Sequence, residues 1–175
     1  GIGAACARSL AAEGAQVVLG ATSGRVHERA AEIGPSSVGV VADLTVDGAA
    51  DRLVEAAMSR WGRLDVLVNN AGMTSVSAGW DVDGEVAGLP LAAWDAAIAR
   101  NLTTAFLACR AAVPAMRRSG YGRIVTIAST TGPVNAMPGQ ASYAASKAAL
   151  VGLSRSLALE VVADGITVNV VAPGY

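Results

Sequence analysis

The residues best suited to chemistry lie between Ser129 and Lys147, a stretch that closes in Tyr143-Ala-Ala-Ser-Lys147. On a helix, residues four apart share one face, which brings the Lys147 ammonium near the Tyr143 phenol. A free phenol titrates at about 10, and a cation held close by favours its ionised form. Such a pair is suited to exchanging a proton with a substrate as a tuned general acid or base. The same spacing also describes an ordinary helix start carrying a solvated lysine, so the rest of the chain has to decide between the two.

Other polar and glycine-rich points are spread along the chain. Gly1-Ile2-Gly3 stands directly before a helical pattern, where backbone N–H groups and the helix dipole favour an anion such as a pyrophosphate. Gly is also common at any helix entry. Gly20-Ala-Thr22-Ser23-Gly-Arg25 follows a strand pattern with hydroxyls and a cation and without an acid. An acid at this place suits the ribose hydroxyls of NAD, whereas a phosphorylated ribose needs hydroxyl donors and a cation, so NADP is favoured and NAD stays open. Asp43-Leu44 is read either as lining for the adenine or as a turn. In Asn69-Asn70-Ala71-Gly72, the small residues after a strand leave room for a cofactor or make a plain turn. Asn101 interrupts an apolar helical stretch, as a binder of water or backbone at a kink or as a helix cap.

These residues need elements to position them. Short apolar, β-branched runs at Val17–Leu19, Val38–Ala42, Leu64–Val68, Arg123–Ala128 and Ile166–Val171 read as buried parallel strands. Helical patterns separate them: Ala4–Glu13, Arg25–Ile33, Asp47–Trp61, Leu91–Arg118 with its break near Asn101, and Tyr143–Ala163. Ala50, Leu53, Val54, Ala57, Met58 and Trp61 recur at helical spacing, as do Leu150, Leu153 and Leu157. Alternating strands and helices predict α/β architecture, a doubly wound parallel sheet with helices on both faces. Thr74–Pro90 is expected to be a long surface loop. A strand feeding Gly1-Ile2-Gly3 would be central in such a sheet, and its omission would leave a gap between its neighbours. The chain is therefore expected to be a fragment, one dinucleotide-binding catalytic domain over residues 1–175 without its first strand and its C-terminal segment.

Bulk properties set limits on function. In 175 residues, 53% are hydrophobic and 15% charged, enough for one core. A net charge of -1 offers no electrostatic footprint for nucleic acid or an anionic membrane. No apolar run approaches the roughly 20 residues of a membrane span, and the cytoplasm is the default expectation. His27 is the only histidine, which rules out a multi-histidine metal site, and Cys6 and Cys109 read as buried small hydrophobes.

Taken together in chain order, Gly1-Ile2-Gly3, Asp43-Leu44, Asn69-Asn70-Ala71-Gly72, Asn101, Ser129, Tyr143-Ala-Ala-Ser-Lys147 and Ile166 to Gly174 resemble the short-chain dehydrogenase/reductase family. Within it the chain is most similar to the 3-oxoacyl-acyl-carrier-protein reductases. The resemblance implies roles residue by residue. Tyr143 would donate the proton to a carbonyl oxygen, and Lys147 would hold the nicotinamide ribose and lower the tyrosine pKa. Ser129 would hydrogen-bond the substrate oxygen, and Asn101 would position a water in a proton relay. Gly1, Ile2, Gly3, Thr22, Ser23, Asn70, Ala71, Gly72, Pro173 and Gly174 match cofactor contacts, alongside Arg25, Asp43 and Leu44. It also implies NADPH-dependent reduction of a 3-oxoacyl thioester on acyl carrier protein or CoA, with oxidation of another secondary alcohol, sugar or polyketide as the alternative. A cofactor-binding protein without turnover is the reading from a different class, and the presence of all four of Asn101, Ser129, Tyr143 and Lys147 argues against it. The family pairs its long helices across a dimer axis, often within tetramers, and Ala145, Ala149, Gly152 and Ser156 provide a face of small residues for this. Arg117, Arg118 and Arg123 suit an acidic carrier, whereas Asp164 does not.

Overall fold

The computed structural model describes residues 1–72 and 84–174. Most of the loop expected at Thr74–Pro90 lies outside them, and its described end carries a single 3-10 turn at Val86–Gly88. The order is α1 (Ile2–Ala12), β1 (Val17–Ala21), α2 (Arg25–Ile33), β2 (Ser37–Val41), α3 (Ala49–Trp61), β3 (Val66–Asn69), α4 (Leu91–Ile98), α5 (Thr104–Ser119), β4 (Gly122–Ile127), α6 (Ala141–Val161) and β5 (Ile166–Val171). All described strand pairs are parallel. That is the α/β architecture expected from the alternation of period-2 and period-3.6 patterns.

The five strands among the described residues form two sheets, β1-β2 and β3-β4-β5. Helix α3 packs on β1 and β2 and on α5, and α5 packs on β3 and β4. Between the open edges of β1 and β3 runs a groove lined by Val17, Leu19, Leu53, Trp61, Leu67 and Val68, among others. The core is built from residues of α5, β4, α6 and β5. Met116, Ile124, Val161 and Ile166 are at most 2% exposed, and Cys109, Ala112 and Val113 complete the cluster. Strand β4 is central in its sheet and alternates buried with half-buried residues, the period of a strand.

Local stops are set by glycines in the left-handed region. Gly62 ends α3 at φ +73° and Gly120 ends α5 at φ +62°, each with its N–H returned to a carbonyl of the last turn. Differences from the sequence reading sit at element ends. Strand β3 begins at Val66 rather than Leu64, because Arg63 and Asp65 form a forked ion pair in the turn before it. Helix α6 begins two residues earlier than expected, at Ala141, and gives way to a 3-10 turn at Val162–Asp164. The break near Asn101 is a turn of π-helix, Ala99–Thr103, which joins α4 to α5 without ending the rod.

Candidate active site

A cavity of about 270 Å3 opens at the C-terminal ends of β3, β4 and β5. Parallel strands all deliver their exit loops to this edge, which is where an open α/β sheet binds ligands. Tyr143, Lys147, Ser129, Asn70, Gly72 and Pro173 line it, and Ile2 and Gly174 also reach it. Residues separated by more than a hundred positions are thereby brought into one pocket.

Lys147 is its most constrained member. The side chain is 5% exposed, and Nζ donates to the Ile127 carbonyl at 3.0 Å, where β4 ends. Nζ lies 5.6 Å from the centre of the Tyr143 ring, so the two residues share a face as their spacing requires. Burial pushes the Lys147 amine below the ordinary lysine value, because the charged form loses hydration. A lysine placed so deep beside a polar pocket is costly for the fold and informative about the site.

Asn101 comes within reach through the π-turn. It is 2% exposed, and its Nδ2 donates to Ala97 O at 3.1 Å. A Cβ added to Gly72 would lie 2.8 Å from Asn101 Oδ1 and 3.4 Å from Lys147 Nζ, so the backbone after β3 runs directly over both side chains. Only a residue without a side chain allows that approach. Ser129 follows β4, and its Oγ accepts a hydrogen bond from the Thr131 amide at 3.1 Å. The hydroxyl proton therefore remains available to another acceptor. Thr130 N donates to Pro173 O at 2.9 Å and ties this loop to the exit of β5.

The start of α1 meets the same edge. Its first turn has no side-chain cap, and free N–H groups there attract an anion. A Cβ on Gly3 would stand 2.5 Å from Asn70 Nδ2, so the turn packs directly on the Asn70 side chain at β3's exit. This is a cradle suited to a pyrophosphate.

Not every expected cofactor residue reaches the pocket. Ser23, Arg25 and Leu44 line the neighbouring groove, together with Gly3 and Ala71, and Asn70 borders both spaces. Gly1, Thr22 and Asp43 line neither. Asp43 does turn work: it accepts from Thr45 N at 3.0 Å and from Thr45 Oγ1 at 2.7 Å, and these bonds hold its carboxyl below the usual range. Arg25 is exposed and has no carboxylate partner among the described residues.

Two contributors, Gln140 and Thr131, were not singled out in the sequence, and the bracing role of Asn69 was not foreseen. Gln140 lines the pocket, Thr131 orients Ser129, and Asn69, 7% exposed, braces β3 by donating to Thr126 Oγ1 and Cys109 Sγ. Asn69 stood in the quoted Asn-Asn-Ala-Gly run; the others carried no signal beyond closeness to Ser129 and Tyr143. Among the described residues no group of His, Cys, Asp and Glu is placed to hold a metal, and no helix is long and apolar enough to cross a membrane.

A parallel α/β fold with an uncapped glycine turn and a buried lysine beside a tyrosine at the strand ends defines a nucleotide-dependent oxidoreductase. The short chain dehydrogenase family matches over residues 1–175, and the chain belongs to the short-chain dehydrogenase/reductases, NAD(P)-dependent enzymes that interconvert carbonyls and alcohols. It is 39% identical to the 3-oxoacyl-[acyl-carrier-protein] reductase FabG of Escherichia coli over 176 residues, all of this chain and 69% of that protein. It is 38% identical to the D-beta-hydroxybutyrate dehydrogenase of Rhizobium meliloti, again over all of this chain and 67% of the relative. A crystal structure of a protein from Burkholderia xenovorans, assigned to the same family, superposes with a TM-score of 0.87 at 36% identity, covering 99% of this chain and 65% of that one. The chain thus spans about two thirds of the length of these relatives.

Proposed function

We propose that the protein is an NADP-dependent reductase that converts a carbonyl to a secondary alcohol, with a 3-oxoacyl thioester as the substrate class. The observation that carries this reading is the buried Lys147 beside Tyr143, in one pocket with Ser129. NADPH, when bound, supplies the hydride for the carbonyl carbon. Ile2, Gly3, Asn70, Ala71, Gly72, Pro173 and Gly174 would hold it along the strand ends, with Ser23, Arg25 and Leu44 toward its adenosine half, while Gly1, Thr22 and Asp43 line neither space. Tyr143 gives its phenolic proton to the carbonyl oxygen, and the Ser129 hydroxyl donates to the same oxygen as charge develops on it. Lys147 supplies positive charge under that oxygen, and Asn101 holds a water through which the proton is replaced.

Arg25 supports NADPH over NADH, being an exposed cation that lines the groove and has no carboxylate partner among the described residues. Similarity to a 3-oxoacyl-[acyl-carrier-protein] reductase supports the thioester. Arg118 and Arg123 offer an acidic carrier a basic corner, while Arg117 is already engaged by Asp164 at 2.8 Å. Helix α6 and the turn after it support self-association: a Cβ at Gly152 would meet nothing within 4 Å, and Leu159 and, in that turn, Val162 are 81% and 68% exposed. A second copy would cover this face in a dimer or tetramer, and a mass measurement showing only monomer would refute that part.

The test is oxidation of NADPH and of NADH with acetoacetyl thioester as substrate, and Tyr143→Phe alongside. Thioester-dependent NADPH oxidation is expected, reduced about 10²- to 10⁴-fold in the variant. Unchanged turnover in Tyr143→Phe refutes the assignment. The similarity to a D-beta-hydroxybutyrate dehydrogenase favours one second reading, oxidation of a small free 3-hydroxy acid with NAD. Turnover of 3-hydroxybutyrate without turnover of the thioester would select it.

A further inference from the structure

We infer that Gly132 is a positioning residue: it docks the Ser129 loop onto helix α6 between Tyr143 and Lys147 and so sets the distance between the hydroxyl and the phenol. The inference rests on the proposed roles of Ser129 and Tyr143. It begins from two features of the glycine. Its φ is +106°, a region that residues with a side chain rarely adopt. A Cβ there would also collide with Ala144 O and lie 3.0 Å from Ala144 C and 3.1 Å from Ala148 N. The contacted atoms are helix backbone and belong to the residues that directly follow Tyr143 and Lys147. They cannot swing aside as a side-chain tip would.

The loop that carries Gly132 is stiff enough to transmit the contact. Val134 N and Asn135 N both donate to Thr130 O at 3.0 Å, and Gly132 N donates to Asn135 O at 2.7 Å. Thr131 is 2% exposed, and its amide holds Ser129 Oγ at 3.1 Å. One end of this braced turn orients the hydroxyl, and the other rests on the helix that presents the phenol. With a methyl at position 132, the turn has to back away from α6 by about an ångström to reach ordinary contact, a misplacement that costs on the order of a hundredfold at a reacting centre.

The experiment is a double-variant cycle on the protein with NADPH and the thioester: wild type, Gly132→Ala, Ser129→Ala and both together, with Tyr143→Phe as a reference. Gly34→Ala is the backbone control, because Gly34 has φ +108° and nothing within 4 Å of an added Cβ. We expect Gly132→Ala to lower kcat about 100-fold while the NADPH Kd stays within about threefold of wild type. The double variant should be no slower than Ser129→Ala alone, since a glycine that acts through the serine has nothing left to position. Multiplicative losses in the double variant overturn the inference. So does near-normal kcat in Gly132→Ala, or failure of that variant to fold where Gly34→Ala folds, for the glycine then serves the fold rather than the site. Unchanged turnover in Tyr143→Phe would instead refute the functional reading, which keeps the two failures distinct.

Discussion

Replacing Lys147 with methionine separates catalysis from stability. Lys147 is 5% exposed, and its amine donates to Ile127 O at 3.0 Å. Losing that charge-assisted bond costs about 1.5–3 kcal/mol. Removing a desolvated cation returns a comparable amount, and a methionine of similar length fills the space. The net change should stay within about 2 kcal/mol, or roughly 4–8 °C in Tm for a chain of this size. The proposed chemistry should suffer more, by about 10²- to 10⁴-fold in kcat, equivalent to about 2.7–5.4 kcal/mol. A pH signature follows from the direction of the lysine shift. The folded pKa lies below the unfolded value, so below the folded pKa both states are charged and the burial penalty is fully present. Between the two values the unfolded chain binds the extra proton, and wild-type stability from this group rises with pH. The Tm of Lys147→Met minus that of wild type should therefore fall as pH climbs through the folded lysine pKa. Thermal unfolding from neutral to alkaline pH, with kcat measured on the same samples, checks both halves. A loss in kcat of less than tenfold, or a Tm difference independent of pH, would refute the reasoning.

Three further outcomes are expected. Arg25→Asp should raise the Kd for NADPH by about tenfold or more and leave that for NADH nearly unchanged, since only the former carries a ribose phosphate; equal effects in a fluorescence titration would remove the cofactor argument. Gly3→Ala should weaken both cofactors alike, because its Cβ would stand 2.5 Å from Asn70 Nδ2 and displace the Asn70 side chain that borders the cradle; unaltered cofactor affinity would show that the turn is not the pyrophosphate cradle. Asn69→Ala should lower stability by about 1–3 kcal/mol in denaturant unfolding, because it removes a buried amide that links β3 to Thr126 and Cys109; a change below about 0.5 kcal/mol would show that this bracing is dispensable.

Much of this protein follows from local pattern. The apolar runs at Val17 and Ile166, the helical spacing from Ala50 to Trp61 and the glycine stops at Gly62 and Gly120 are settled within a few residues of chain. Period and capping are short-range properties. The same holds for the Tyr143–Lys147 pair, whose separation of four residues puts both on one helical face before any tertiary contact forms. The interruption at Asn101 was visible as a polar residue in an apolar stretch. That it is a π-turn continuing the rod into α5, rather than a cap ending α4, depends on packing against α6.

Long-range contact decided the rest. No local signal says that Lys147 is buried against Ile127 O, that Gly72 crosses over Asn101 and Lys147, or that Thr131 orients Ser129. Each needs β3, β4 and β5 side by side, with their exit loops at one edge. Asp43 shows the converse, because its bonds to Thr45 place it in a turn, one of the two readings its sequence position allowed. The sequence by itself determined the elements and the chemistry available, since these reside in side-chain type and short-range spacing. Only the tertiary structure decided which groups meet, because the parallel order of the strands brings Gly72 against Asn101 and Lys147 and puts Ser129 in one pocket with Gly72 and Lys147, and chain separation carries no information about that meeting.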